Sequence, residues 1–210
     1  MYRLSKYFPI LLIAFAVFSC TTKRNTAITR FYHNLTSKYN IMFNGRESYR
    51  SGINKLIETY DDDLTEMLPV FMYSDEEALK SISSEMDRTI KKSTKLISMH
   101  SLTVKPELKP DKELSPRQKE FYNKREYNNY VDDAYLLMAK AHFYKMEYVQ
   151  AKQTFTYIVS NFQESESALE AKIWLGRLAL EEERFVEAEE ILSEQEELED
   201  FPKDLRGDLY

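Results

Sequence analysis

Very little in this chain bends it or crosslinks it. Its 210 residues include four glycines, six prolines and a single cysteine, Cys20. One cysteine excludes a disulfide within the chain and a zinc site built on several thiolates. So few glycines and prolines, beside 43% hydrophobic and 30% charged residues, leave few places for the tight turns of a sheet fold. No run alternates strictly between apolar and polar residues, and the residues after Asn44-Gly45 are helical in period. An all-α fold is expected. The glycines at 45, 52, 176 and 207 stand apart, so no glycine-rich loop can cradle a phosphate. His33, His100 and His142 show no His-x-x-x-His or Glu-paired spacing, which leaves a metal site without support. Asp132 and Asp133 are neighbours and point to different helix faces, unlike a carboxylate dyad. Asp61-Asp62-Asp63 lacks the alternating oxygen ligands and the glycine of a calcium loop and reads as a solvated helix end. We therefore expect no enzyme, no cofactor and no small-molecule substrate.

Long hydrophobic runs are missing too. The longest, Phe8 to Phe18, has eleven residues with Pro9 inside it, too short to span a bilayer and suited to the core of a signal peptide. Arg3 and Lys6 supply its positive start. The run ends in Val17-Phe18-Ser19-Cys20, which resembles a bacterial lipobox: an aliphatic residue, a tolerated one, a small one, then the cysteine that takes the lipid. The small Ser19 lets the bond enter the peptidase, and the Cys20 thiolate carries a diacylglycerol thioether. A lipoprotein signal peptide at 1–19 and lipidation at Cys20 are expected. Cleavage removes two positive charges and changes the formal charge from −6 to −8. Acyl chains at about 0.8 kcal/mol per buried methylene would hold the rest at a membrane. Thr21 is not the Asp of inner-membrane retention, and Thr21 to Arg24 lacks the acidic run of surface export. The outer membrane, facing the periplasm, is the expected location.

Charge is unevenly spread. From Cys20 to Thr59 seven Lys/Arg face Glu47 and Glu58, a net +5, whereas from Ser160 to Tyr210 five face sixteen acids, a net −11. Such asymmetry suits an anionic surface or a charged partner, or simply solvated helix faces. Nucleic-acid binding has little support.

The stretch from Asp132 to Leu192 repeats itself. Tyr135, Met138, Ala139, His142, Tyr148, Ala151 and Phe155 are answered 37 residues later by Lys172, Leu175, Gly176, Ala179, Phe185, Ala188 and Leu192. Leu175-Gly176, the aromatic Phe185 and Ala188 resemble the tetratricopeptide pattern, with Ala139, His142 and Lys172 as departures. Ala139, Gly176, Ala151 and Ala188 fall where two helices must touch. The extra length over the usual 34 residues is expected in Gln163 to Ser167. In this fold the first helix of each hairpin lines a concave face. The candidate partner-binding residues are Asp133, Leu136, Lys140, Phe143 and Tyr144 from the first copy. Glu170, Ile173, Arg177, Leu180 and Glu181 are the second copy's equivalents. Lys140 and Arg177 would stack as a short basic ladder able to grip an acidic side chain or a C-terminal carboxylate. Trp174 is expected between hairpins, and His142 as a helix-packing histidine.

Upstream, Ile28, Phe31, Tyr32, Leu35 and Tyr39 lie along one face of a helix, Asn40 to Gly45 reads as a turn, and Tyr49, Ile53, Leu56 and Tyr60 come next at helical intervals. This hairpin admits two readings, a degenerate repeat or a cap. Ser74 and Glu77 form a capping box for a helix running to about Ser98, with Ala78, Ile82, Met86, Ile90 and Ile97 as its buried stripe. Pro106 and Pro110 break the charged stretch after it, and Pro116 looks like a first helical residue. The expected plan is a leader (1–19), an N-terminal helical region (20–98), a Pro- and charge-rich loop (99–116), two repeats (117–200) and the start of a truncated third (201–210). Advancing the 37-residue period puts the third small residue near position 213, past Tyr210. The whole is a helical-hairpin, tetratricopeptide-like solenoid preceded by a lipoprotein signal peptide.

A lipobox, then Lys38-Tyr39-Asn40 and Phe43-Asn44-Gly45, then Asp132-Asp133-Ala134-Tyr135-Leu136-Leu137 leading the repeats, resembles the gliding-motility and type IX secretion lipoproteins of Bacteroidota, the SprE/PorW type. The resemblance runs from Cys20 onward. It implies a non-enzymatic outer-membrane component that works with envelope secretion and motility proteins. Two alternatives stay open: a glycan-binding lipoprotein resembling SusD, and a component of outer-membrane protein assembly. The SusD proteins are larger and carry aromatic platforms on long loops, whereas the fifteen tyrosines here mostly follow helical spacing.

Overall fold

Helix signals dominate the sequence, and the computed structural model contains no strand among the residues it describes: 22–61, 64–65, 71, 76–107, 113–196, 202–203 and 205. The leader, Cys20, Asp62, Asp63, Ser74, most of Leu68 to Tyr73 and most of 201–210 lie outside them. The elements are α1 (Ala27–Thr36), a π-helical segment (Ser37–Met42), α2 (Phe43–Thr59), α3 (Glu76–Ser81), α4 (Ser83–His100), α5 (Pro116–Asn123), α6 (Val131–Tyr144), α7 (Tyr148–Asn161), α8 (Glu166–Glu181) and α9 (Phe185–Glu196).

Three helix pairs stack in sequence: α2 on α4, α6 on α7, α8 on α9, with α4 against α6 and α7 against α8. The 37-residue repeat is visible down to the backbone. Met146 and Glu183, 37 residues apart, both adopt left-handed geometry at φ 59° and 56°. At each turn the amide behind that residue reaches back into the preceding helix, Glu147 N to His142 O at 2.9 Å and Arg184 N to Ala179 O at 2.8 Å. The small residues sit at the close approaches: Ala139, Ala151 and Ala188 are buried, and a Cβ on Gly176 would lie 2.7 Å from Leu192 Cγ. The surplus length is divided: the inter-hairpin turn is only 162–165, and Glu166 and Ser167, expected in it, instead extend α8 behind the N-cap Ser165. Ser115 caps α5 reciprocally with Gln118, and Pro116 occupies its first position as expected.

The N-terminal half departs from expectation in three ways. First, Asn40 to Gly45 is not a turn. The backbone stays helical through Ser37–Met42, so α1, the π segment and α2 form one continuous rod. Gly45 serves close packing instead, since a Cβ there would meet Leu137 Cδ2 at 3.2 Å. The hairpin partner of α2 is therefore α4, and the pair continues the stack. Second, the helix expected to run unbroken to Ser98 is interrupted at Ile82 (φ −102°, ψ 3°) and ends at His100. Its buried stripe is Met86, Thr89, Ser93, Leu96 and His100; Ile90 and Ile97 are only half-buried, because polar residues occupy core positions between them.

Third, α1 is inverted. Of the five apolar residues expected along one helix face, Ile28, Phe31, Leu35 and Tyr39 are 70%, 68%, 44% and 67% exposed, and only Tyr32 is half-buried, against His33 and His100. The buried side is polar: Thr29, His33 and Ser37. Those groups are held by hydrogen bonds. His33 Nδ1 and His100 Nδ1 are 2.9 Å apart, Asn128 Nδ2 donates to Ser37 Oγ (2.8 Å) and His100 O (2.9 Å), and Asn129 N donates to Asn34 Oδ1 (2.9 Å). The loop after α4 joins this seam. Glu126 Oε1 accepts from the amides of Leu102 (2.7 Å), Tyr127 (2.9 Å) and Asn128 (2.8 Å), while Oε2 takes the Ser101 hydroxyl at 2.6 Å. Buried amides left without such acceptors would be costly, so one carboxylate fixes the start of the Pro- and charge-rich loop.

Candidate partner-binding face

The first helices of successive hairpins, α2, α6 and α8, lie side by side, as such a stack requires. Between them is a groove of about 390 Å³. Arg46, Tyr49, Arg50, Ile53 and Asn54 line it from α2, Asp133, Leu136, Leu137 and Lys140 from α6, and Glu170 from α8. Three cations face two carboxylates, and most of that charge is paired. Arg46 Nη2 is 2.9 Å from Asp133 Oδ2, and Asp133 Oδ1 accepts from Ser167 Oγ at 3.1 Å, so one aspartate links α2 to α8. Arg50 lies 2.7 Å from Glu47, one turn back.

Under the groove an aromatic cluster joins the hairpins. Trp174 is 5% exposed. It meets Phe143 edge-on at 5.1 Å between ring centres, Tyr144 at 5.8 Å, and stacks on Phe155 at 6.1 Å and 15°. Tyr144 also packs edge-on against Tyr49 of α2 at 5.8 Å. Burial, with Tyr144 adding to it, holds the Tyr49 hydroxyl well above the ordinary tyrosine pKa, so it stays neutral.

Of the ten residues expected on the concave face, four line the groove: Asp133, Leu136, Lys140 and Glu170. Phe143 and Ile173 do not. Both are fully buried: Trp174 of the next hairpin covers Phe143, whereas Ile173 packs with Leu169, with Leu192 of its own hairpin and with Leu205. Tyr144, Leu180 and Glu181 are half-buried. Glu181 sits close enough to Tyr148 to raise that phenol, after burial itself, to about 12. The basic ladder takes a different form. Lys140 pairs with Glu170, and the Lys140 and Arg177 cations lie 5.3 and 5.0 Å from the centre of the Trp174 ring. Two cations, one indole and one carboxylate form a cluster in which the charge of Lys140 is already balanced. Glu170 Oε1 also accepts from Trp174 Nε1 at 3.4 Å.

The α2 contribution was missed, although a signal existed. Arg46, Tyr49, Arg50 and Ile53 have the same i, i+3, i+4, i+7 spacing as Asp133, Leu136, Leu137 and Lys140. Without the expected turn at 40–45, that spacing would have identified α2 as another first helix. His142 packs at the hairpin turn, its Nδ1 2.6 Å from Glu147 Oε2. Lys145 bonds Glu147 at 2.5 Å and Asp87 of α4 at 2.7 Å. These opposed charges hold the Glu147 carboxyl below its usual range despite its burial. Among the described residues no group of three or more His, Cys, Asp or Glu could hold a metal ion. No described helix is long and apolar enough to cross a membrane.

Residues 78–210 match a family model described as a tetratricopeptide repeat-like domain. No curated protein matches the chain.

Proposed function

The chain belongs to the tetratricopeptide repeat-like domain family, whose stacked hairpins form protein-interaction scaffolds, and on that premise we propose a lipid-anchored scaffold of the cell envelope that supports type IX secretion and gliding motility. It is held at the outer membrane by an acylated Cys20, faces the periplasm, and receives a segment of an envelope secretion or motility protein in the groove between α2, α6 and α8. One observation carries this reading. Two stretches that resemble the motility lipoproteins, distant in sequence, meet beside that groove: Gly45 closes on Leu137, and Arg46, the residue after it, pairs with Asp133 of α6. A stretch needed only for folding would have no reason to end on an open, charged groove.

Arg50 and Asn54 are exposed on the α2 rim; Arg50 pairs with the likewise exposed Glu47 one turn back, so it can meet a partner with little loss to the fold. Affinity capture from detergent-solubilised envelopes at native expression should recover secretion or motility components, and Arg50→Glu should reduce their recovery at least tenfold. Recovery of none of them, or recovery indifferent to Arg50→Glu, would overturn the proposal. Mass analysis of the mature N-terminal peptide tests the acylation of Cys20 separately.

A further inference from the structure

Among the described residues, the inverted helix α1 carries a continuous apolar feature that the hairpin stack does not use. Ile28, Phe31, Leu35, Tyr39 and Phe43 succeed one another at steps of three, four, four and four residues, and each is 44–70% exposed. In an ordinary α-helix such four-residue steps drift slowly around the rod, because a turn takes 3.6 residues. The π segment Ser37–Met42 hydrogen-bonds at i→i+5 and winds more than four residues into each turn. Its underwinding brings Tyr39 and Phe43 back into line with Phe31 and Leu35. The result is a straight apolar stripe about 22 Å long at 1.5 Å per residue. Its opposite side is fixed by the His33–His100 and Ser37–Asn128 contacts and, at the end of the π segment, by the buried Ile41 and Met42, so the stripe cannot turn inward without breaking them.

Charge identifies what covers it. The first 46 residues contain no Asp or Glu at all. Lys38 borders the stripe, its ammonium 5.1 Å from the Tyr39 ring centre; the exposed Lys23 and Arg24 precede the helix, and Arg30 turns to the other side, over the Phe121 ring and onto Asn25 Oδ1. A second copy of this helix would bring those cations against their equals. Apolar residues along one side of a helix with cations beside them and no anions fit an anionic lipid surface, into which such a helix lies in the plane. We propose that the outward face of α1 and the π segment, Ile28 to Phe43, seats in the headgroup and upper acyl region of a membrane containing anionic lipids. It thereby fixes the orientation of the hairpin stack on that surface. The proposal rests on the anchor reading only for how the chain is brought to the membrane.

The test uses the full chain bound to vesicles of equal parts phosphatidylcholine and acyl-brominated phosphatidylglycerol. A reporter, Phe31→Trp, is compared with Val149→Trp on α7, a position 66% exposed away from the stripe. Native Trp174, inside the protein, serves as background. The expected result is at least twofold quenching of the indole introduced at position 31 and none of that introduced at 149. With phosphatidylcholine as the only phospholipid headgroup, the position-31 quenching should fall by at least half. Quenching of a chain that is not acylated at Cys20 would uphold the seating and show that it does not depend on the anchor. Protein that floats with the vesicles while the position-31 indole stays unquenched would overturn the seating and leave the anchor intact. An indole shielded but unquenched in a dimer would overturn it equally.

Discussion

Replacing Gly176 by alanine tests whether α8 and α9 touch where the repeat places them. In a helix interior that change ordinarily stabilises by about 1 kcal/mol, because glycine loses more backbone freedom on folding. Here the added Cβ would lie 2.7 Å from both Cγ and Cδ2 of Leu192. The obstacle includes the branch carbon, which cannot rotate away as a chain end can, so Leu192 must change rotamer or the helices must separate. Overpacking of this kind costs about 1–3 kcal/mol. The balance is a net loss of up to about 2 kcal/mol, centred near 1, or about 2–4 °C in Tm for a chain of this size. Leu192→Ala removes the obstacle and costs about 1–2 kcal/mol by itself, since the side chain is only half-buried. Alanine at both positions should then be less damaging than the sum of the two changes by about 1–2 kcal/mol. Urea unfolding monitored by circular dichroism at the helix band measures all four proteins. A gain of about 1 kcal/mol from Gly176→Ala, additive with Leu192→Ala, would show that the two helices do not meet at this point.

The polar seam and the turns give three further expected outcomes. Glu126→Ala strips the Leu102 and Asn128 amides and the Ser101 hydroxyl of their acceptor, while the Tyr127 amide keeps Leu102 O at 3.0 Å; a loss of about 2–4 kcal/mol and faster proteolysis between Ser101 and Ser115 are expected, with Glu126→Gln intermediate. Glu183→Gly relieves a left-handed non-glycine residue and should stabilise by up to about 1 kcal/mol in the same urea assay, whereas glycine at the α-helical Leu178 should destabilise. Burial, then the neighbouring His33, hold His100 down at about 4 from an ordinary 6.5. The unfolded chain therefore binds the extra proton between those values, and stability that is complete well above pH 6.5 should decline by about 3 kcal/mol as pH falls to 4. A flat urea midpoint from pH 7 to 4.5 would refute the buried His33–His100 contact.

The repeat was readable in advance because its landmarks each have one physical cause. A glycine or alanine where two helices cross, at Gly176 or Ala151, has no better explanation than closeness, and the 37-residue spacing put all of them in register. Elsewhere one residue type served two ends. Gly45 beside Asn44 signals a turn, yet here it makes room for Leu137 within an unbroken helix. Thr89, Ser93 and His100 are polar and still buried, so the α4 stripe drawn from apolar residues alone fell partly on its flank. Amphipathicity in α1 was correctly detected but wrongly oriented: periodicity shows that two faces differ, and only the partners of His33, Asn34 and Ser37 decide which one turns inward. Phe143 and Ile173 illustrate the same limit in the groove, since Phe143 is covered by Trp174 of the next hairpin and Ile173 by Leu192 and Leu205, contacts that no local pattern announces.

The π segment also sets the phase of the rod. A helix is a screw, and each residue taken out of it rotates everything on one side by about 100° relative to the other. Deleting a single residue between Ser37 and Met42 would let an ordinary α-helix close across the gap. With α2 fixed by the stack, α1 would then keep its direction, because the underwound segment already absorbs about one residue's worth of rotation. Winding the same residues as ordinary α-helix would instead swing α1 by about 100°, taking His33 from His100 and Ile28, Phe31 and Leu35 out of line with Phe43. The direction in which the N-terminal helix faces is thus set by the winding of the segment Ser37–Met42, independently of which side chains α1 carries.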